Sequence, residues 1–424
     1  MRDLFTPLTR DERQDEAVRK WIKAKGKASI VAGTGVGKTV IAIKCIKKLL
    51  IKYPNLSILI LVPTELLKNQ WIEELKKWGV CANITVKVMM GASKKEYECD
   101  LLIIDEAHRI NSVLIANTFK VVKYKLILGL TATFERLDGR HEILAQHAPV
   151  CDTITLQEAL INGWVSKYTD YVVLIDVDDI DIYKQYNKEF VQHFEYFQFD
   201  FNKAMSMIGP KGLHNRLVLR DQMCPNGSKE EKSKILKDIT YHATGFIRSI
   251  QNRKKFVQNH PEKLRIAEEI IKYRPNQKII TFSANTKIAE SFSSGYIYTG
   301  KEGKKKNKMT LEEFSALPAG CLHSVKLAEE GMNLPDLSVG IMLGVNSSKT
   351  KAIQTLGRVI RLSKDKTAEF FTLVINDSIE TEWMNKSRSD NNFIMIDVEN
   401  LMHLLKGEPW VPYKKKLQNY TYRF

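Results

Sequence analysis

The sequence predicts an α/β protein with two parallel-sheet domains and an additional, mainly helical region between them. Three observations carry this. Short continuous apolar runs alternate with helical segments from Thr9 to about Leu137, as strands buried on both faces require. A second set of such runs follows much later, at "KIITFS" (278–283), "SVGIMLG" (338–344) and "EFFTLVI" (369–375). The stretch between them, roughly 177–260, carries helical spacing and many aromatics instead. The expected division is 1–170, 171–260 and 261–424, the last with a C-terminal extension.

Taken in order, Thr9 with Glu12 forms a capping box ahead of Ala17, Val18, Trp21 and Ile22, so the first element is a helix. Ser29–Val31 suit the end of a buried strand. Gly33, Gly35 and Gly37 follow, then Lys38, Thr39 and an apolar helical pattern from Val40 to Leu50. Strand, glycine turn and helix are the setting of a phosphate-binding loop. Glycines let backbone N–H groups curl around phosphates, the helix N-terminus adds positive potential, and Lys38 supplies a point charge. Gly33, Thr34, Gly35, Val36, Gly37, Lys38 and Thr39 are therefore the candidate nucleotide-binding residues, with the Thr39 hydroxyl on Mg²⁺.

Further strands are expected at Ser57–Val62, Ile84–Met89, Leu101–Ile104 and Leu126–Leu130. "LLIIDEAH" (101–108) ends its strand in adjacent carboxylates: Asp105 suits Mg²⁺, usually through water, and Glu106 suits the base that orients and deprotonates an attacking water. "LGLTATFERLDGR" (128–140) places Thr131 and Thr133 after another strand, where hydroxyls can join the phosphate site to a neighbouring domain. In the middle region Ser228 with Glu231 and the pair His260–Pro261 mark helix starts. Phe190, Phe194, Phe197 and Phe201 fall at helical spacing, the pattern of a packed stripe; the alternative is that some stack on bases or wedge a strand junction. Lys304–Lys306 and Lys308 either touch phosphates or are simply solvated. In "QTLGRVIR" (354–361), Gln354, Arg358 and Arg361 share nearly one helical face; such arginines can stabilise transition-state charge on a γ-phosphate held by another domain.

Bulk properties narrow the partners. With 65 Lys and Arg against 49 Asp and Glu, the net charge of +16 suits a phosphate backbone better than small neutral metabolites. The six cysteines form no CxxC pair, which argues against a zinc module or disulfide framework and suits a reducing cytoplasm. The longest apolar run, "LSILILV" (56–62), is too short to span a bilayer, and the N-terminus shows no signal-peptide pattern. A cytoplasmic location without membrane partners is expected, in a host cytoplasm if the chain is phage-encoded.

"AGTGVGKT", "DEAH", "TAT" and "QTLGRVIR", in this order and spacing, resemble motifs I, II, III and VI of superfamily 2 helicases and translocases. Gln14 resembles the adenine-reading glutamine upstream of motif I, with Asp11 where an arginine is often found. "LVPTELLKNQW" (61–71) resembles motif Ia, "TFSANTKIAESF" (281–292) motif IV, and "HSVKLAEEGMNLPD" (323–336) motif V, with Asn333 where many members have Asp. "TATFERLDGR" is closest to the XPB-like branch, although Phe134 replaces a usual proline. The compact build resembles small phage-encoded helicases of the UvsW type, which act in branch migration and fork remodelling.

The resemblance implies two RecA-like domains of the P-loop NTPase class, ATP and Mg²⁺ as cofactors, and a nucleic acid crossing both domains. Carried over by position, Pro63, Thr64, Ser283, Ser324 and Gly331 would contact its backbone, and His108, Thr131 and Thr133 would couple the sites. Lys38, Asp105, Glu106, Gln354, Arg358 and Arg361 would carry hydrolysis. The expected activity is that of an ATP-dependent DNA helicase or translocase acting on single-stranded or branched DNA. Two alternatives stand: an RNA helicase, which shares every motif, and a nucleotide-gated clamp that binds without moving. A monomer is compatible with the pattern.

Overall fold

A computed structural model describes residues 8–33, 35–80, 83–93, 95–107, 112–132, 142–165, 167–325, 337–345, 367–387 and 393–413. It divides into two compact units: Met1–Asp170 with Arg274–Ile341 and Ser348–Phe371, and Tyr171–Tyr273 with Met342–Ser347 and Thr372–Phe424. Among the described residues, no helix is long and apolar enough to cross a membrane.

The first sheet has six strands: β1 (Lys27–Ala32), β2 (Ser57–Val62), β3 (Asn83–Val88), β4 (Tyr97–Ile104), β5 (Val122–Thr131) and β6 (Val150–Ile154). Their spatial order is β3-β2-β4-β5-β1-β6, and every pairing is parallel. Parallel neighbours need crossovers, and helices supply most of them. Both faces are thereby covered, which is why β1 and β2 are apolar almost end to end and buried except at the first residue. β3 at one edge is the exception, half-exposed along its length.

The second sheet contains β7 (Tyr168–Ile175), β8 (Lys278–Phe282), β9 (Tyr296–Tyr298), β10 (Gly320–Ser324), β11 (Val339–Met342), β12 (Ala368–Ile375) and β13 (Ile394–Asp397). Its order is β13-β7-β12-β11-β8-β10-β9. β7 was not among the expected strands, and the chain enters this sheet before its helical region begins.

Helices Ile180–Tyr196 and Lys229–Asn259 form the body of that region. They run antiparallel: Tyr183 lies against Phe256, Phe190 and Phe194 against Phe246, and His193 against His242. At 1.5 Å per residue the longer helix extends about 46 Å. Phe194, Phe197, Ala243 and Phe246 form its core, joined by residues of two short helices, Phe201–Ser206 and Gly212–Met223. The aromatic stripe is thus a packed core from Phe190 to Phe197, but one helix does not carry it through to Phe201. The helix ends at Tyr196, and Gln198 and Phe199 turn left-handed with φ of 56° and 57°.

Local start signals held. Both capping boxes, Thr9/Glu12 and Ser228/Glu231, are formed with both of their hydrogen bonds, and Pro261 opens the helix Pro261–Lys272 behind the cap His260.

Candidate active site

β1 ends at Ala32, and the Gly33 amide donates to Ile154 O at 2.9 Å, so the loop leaves the sheet edge held against β6. Gly35 and Gly37 adopt φ of 88° and 94°, a region that only glycine occupies without strain. A Cβ on Gly37 would lie 2.7 Å from Gln14 Nε2 and 3.0 Å from Arg10 Nη2, so a side chain there would displace these two neighbours. The helix Lys38–Lys52 begins directly from Gly37 with no side-chain cap and no acid in its first turn. Its first amides keep their positive potential for an anion. Thr39 sits half-buried in that turn.

The acids arrive on the same edge through register. Ile104 pairs with Gly129 across β4 and β5, and Thr131 pairs with Val31 across β5 and β1. Asp105, Glu106, Thr131 and the glycine loop therefore lie at one level, at the carboxyl ends of parallel strands, where open α/β sheets hold ligands. β4 and β1 are separated only by β5, roughly 10 Å at the spacing of paired strands. The long Lys38 side chain crosses that gap, with Nζ 3.0 Å from Glu106 Oε1.

Asp105 is buried, and both of its oxygens are held. Oδ2 accepts from the Trp71 indole N–H at 2.8 Å and Oδ1 from the Glu106 amide at 2.8 Å. Burial pushes its carboxyl up to about 6, and the neighbouring Glu106 charge adds to this; Lys38 and the Trp71 hydrogen bond oppose it. Glu106 itself has φ of 48°, a left-handed conformation unusual for a side-chain-bearing residue and found mainly where a site demands it.

The arrangement fits a nucleotide with a divalent cation. Lys38 Nζ is buried and makes no aligned hydrogen bond among the described residues, despite its ion pair with Glu106, so its donors remain available to a phosphate. Asp105 retains lone pairs for a cation-bound water after accepting its two hydrogen bonds. The glycine cradle offers amides and no side chain.

Two contacts escaped the sequence reading. Gln14 Nε2 donates to Val36 O at 2.7 Å, and Arg10 Nε donates to the same carbonyl at 3.0 Å. Asp11, by contrast, is engaged by Lys44 Nζ at 2.6 Å. An arginine thus reaches the loop, but from one position earlier in the helix. The same helix is anchored by Arg13, whose guanidinium holds Asp152 in a bidentate pair at 2.6 and 3.1 Å and Glu158 at 2.6 Å.

Elsewhere, Pro63 and Thr64 follow β2 half-buried, and Thr64 caps the next helix by accepting from the Leu67 amide. In the second sheet the Ser283 amide donates to Ser324 O at 2.8 Å. Ser324 is fully enclosed, its hydroxyl donating to Thr281 O at 2.8 Å, while the buried Ser283 Oγ has no hydrogen-bond partner among the described residues. Thr34, His108, Thr133, Gly331, Gln354, Arg358 and Arg361 lie outside the described residues.

Comparison with known proteins agrees with this geometry. Residues 8–100 and 89–136 match the family described as type III restriction enzyme, res subunit. Residues 262–363 match the helicase conserved C-terminal domain. A DNA 3'-5' translocase XPB2 of Sulfurisphaera tokodaii is 27% identical over 412 residues, covering 90% of this chain and 86% of that protein. A putative helicase of Sulfolobus islandicus filamentous virus is 26% identical over 394 residues, covering 85% of this chain and 63% of its own. Among solved structures, S. cerevisiae Dbp5 bound to RNA and ADP BeF3 superposes with a TM-score of 0.57 at 12% identity, covering 93% of this chain and 91% of that one. Likeness at that identity speaks for the fold, two RecA-like parallel-sheet domains.

Proposed function

The chain belongs to the superfamily 2 helicases, ATP-hydrolysing enzymes that act on nucleic acids, and from that premise we propose that it is a DNA translocase that separates strands or remodels branched DNA. The observation that carries the reading is the convergence of the glycine loop, Lys38, Asp105 and Glu106 on one sheet edge, in a chain of net charge +16. The similarity to an XPB2 DNA translocase over most of both chains favours DNA.

In the proposed scheme the amides of residues 33–39 and the Lys38 ammonium hold the ATP phosphates, with Gln14 beside the loop at the base. Thr39 and Asp105 would hold Mg²⁺, which when bound neutralises charge on the transferred phosphoryl group. Glu106 orients the attacking water and takes its proton, leaving its ion pair with Lys38 to do so. Arg358 and Arg361 supply the remaining positive charge and Gln354 a neutral hydrogen-bonding amide beside them, so that hydrolysis depends on their approach. Thr131, Thr133 and His108 relay that approach. Pro63, Thr64 and Gly331 form the backbone-contacting set, and the buried Ser283 and Ser324 support that surface from behind. We assign nucleotide binding to 1–170 and the arginines to 261–424. The narrower role, branch migration in recombination and repair as in phage helicases of the UvsW type, belongs to the same proposal.

The test is ATP turnover by the wild type and Glu106→Gln, with no nucleic acid, single-stranded DNA, duplex DNA, a four-way junction or single-stranded RNA at one moderate salt concentration. Stimulation by DNA, greatest with the junction, and a fall of about 10²–10⁴ in the variant are expected. Stimulation by RNA alone overturns the substrate assignment, and equal response to every DNA overturns the junction preference.

A further inference from the structure

The end of the helical hairpin has a surface that none of the helicase motifs covers. Of the seventeen large apolar side chains exposed among the described residues, six fall between Phe199 and Met223: Phe199, Phe201, Met205, Leu213, Val218 and Met223. Exposed apolar residues scattered singly need no explanation, whereas a concentration of them marks an interaction site.

The backbone explains how two of them reach the surface. Had the helix continued past Tyr196, Phe201 would have lain one turn beyond Phe197, on the buried stripe. Instead Gln198 and Phe199 turn left-handed, a conformation that costs free energy for any residue with a Cβ. The turn leaves Phe199 42% and Phe201 53% exposed. Neither ring is loose. Phe199 stands edge-on to Phe194 at 5.4 Å and Phe201 edge-on to Phe246 at 6.0 Å, and both supporting rings are buried.

The two short helices beside them are tied together. Asn215 Nδ2 donates to Ser206 O at 2.8 Å, and a Cβ on Gly212 would meet Met207 O at 2.5 Å. They present Lys203 and Arg216, with Lys211 at the N-cap of the second; among the described residues none of these forms an ion pair, and the buried Arg216 Nε has no hydrogen-bond partner. Two acids of these segments are occupied: Asp200 caps its helix through the Lys203 amide, and Asp221 pairs with Arg220 and Lys232. The surface is therefore aromatic and cationic together.

We propose that this surface binds a single nucleic-acid strand, with Phe199 and Phe201 stacking on unpaired bases and Lys203, Lys211 and Arg216 engaging its phosphates. An acidic peptide would satisfy the cations but leave the rings unmatched, and a second copy of the chain would bring like charges together. Unpaired bases match the rings and phosphates match the cations. A duplex keeps its bases in the stack and offers only the phosphates. The inference rests on the proposed nucleic-acid-dependent activity and adds a site to it.

The test uses the full chain and an oligonucleotide carrying 2-aminopurine, whose fluorescence reports stacking. Phe199→Ala/Phe201→Ala is expected to lose at least about thirtyfold in single-strand affinity, from two stacked bases at about 1–3 kcal/mol each. It should also lose the 2-aminopurine change, while duplex affinity and turnover without nucleic acid stay unchanged and the melting temperature falls by no more than the few degrees that two edge-on ring contacts contribute. Phe199→Trp/Phe201→Trp should keep both signals. Unchanged single-strand binding in the alanine variant overturns the site, as does equal loss for strand and duplex. A loss that accompanies a larger fall in melting temperature and is not restored by tryptophan overturns it as well. If the wild type bound no nucleic acid at all, the functional reading would fall first, and the site with it.

Discussion

Trp71→Phe isolates one hydrogen bond behind the proposed cation site. The indole N–H lies 2.8 Å from Asp105 Oδ2, and Trp71 and Asp105 are 1% and 4% exposed. Phenylalanine keeps an aromatic ring in the pocket but removes the donor. A hydrogen bond to a charged group contributes about 1.5–3 kcal/mol, and its loss leaves a buried carboxylate oxygen short of a partner. Asp105 would be held by the Glu106 amide alone and free to rotate about its χ angles. Partners that orient a metal-holding carboxylate typically contribute 10–100-fold to metal affinity, which agrees with that energy at about 1.4 kcal/mol per decade. The assay is ATP turnover against Mg²⁺ concentration at saturating ATP and stimulating DNA. Half-saturating Mg²⁺ should rise about ten- to a hundredfold, with maximal turnover largely recovered at high Mg²⁺. If half-saturation stays within about twofold of the wild type in a folded variant, Trp71 does not orient Asp105 and the argument for its role fails.

Three other perturbations test the surrounding physics. Gly37→Ala forces a side chain into φ of 94° and against Gln14, so binding of a fluorescent ATP analogue should weaken by about five- to thirtyfold, the equivalent of the 1–2 kcal/mol of a left-handed alanine. Lys263→Met strips the partner from Glu380, which Nζ approaches at 2.6 and 2.7 Å with both residues almost fully buried. Urea unfolding should register a loss of about 3–5 kcal/mol, only partly regained in Lys263→Met/Glu380→Leu, which leaves the Ile375 amide and the Leu343 carbonyl without their side-chain partners. Asp152 is pushed up by burial, but hydrogen bonds and charge from Arg13 and Lys20 outweigh this and hold it below the usual carboxylate range. A depressed carboxylate stabilises the fold above its unfolded value near pH 4, and that contribution is lost as pH falls through the lower folded value. Asp152→Asn should therefore lower stability at pH 7 and flatten its acid-side decline below about pH 4, read from urea midpoints across pH.

What the sequence disclosed, and what it concealed, follows the distance over which each feature is determined. The two capping boxes, the Pro261 helix start and the turn from Ser29 to Thr39 are set by residues three to ten positions apart, and all could be read directly. Trp71 and Asp105 are 34 residues apart, Arg10 and Val36 are 26, and Lys263 and Glu380 are 117. No spacing rule reaches across such intervals, because the folded sheets bring these pairs together. β7 had a legible pattern, the apolar run Tyr171–Ile175, but its neighbours in the sheet are β12 and β13, about 200 residues later in the chain. Its affiliation was therefore invisible even though the strand itself was not. The turn at Gln198–Phe199 is a third case, since nothing there advertises a left-handed backbone: neither residue is glycine or asparagine, and the aromatic spacing runs on as if the helix did. Phe194, 3% exposed, serves the hairpin core, so the proposed stacking role falls to Phe199 and to Phe201, the one member of the aromatic spacing that the turn exposes.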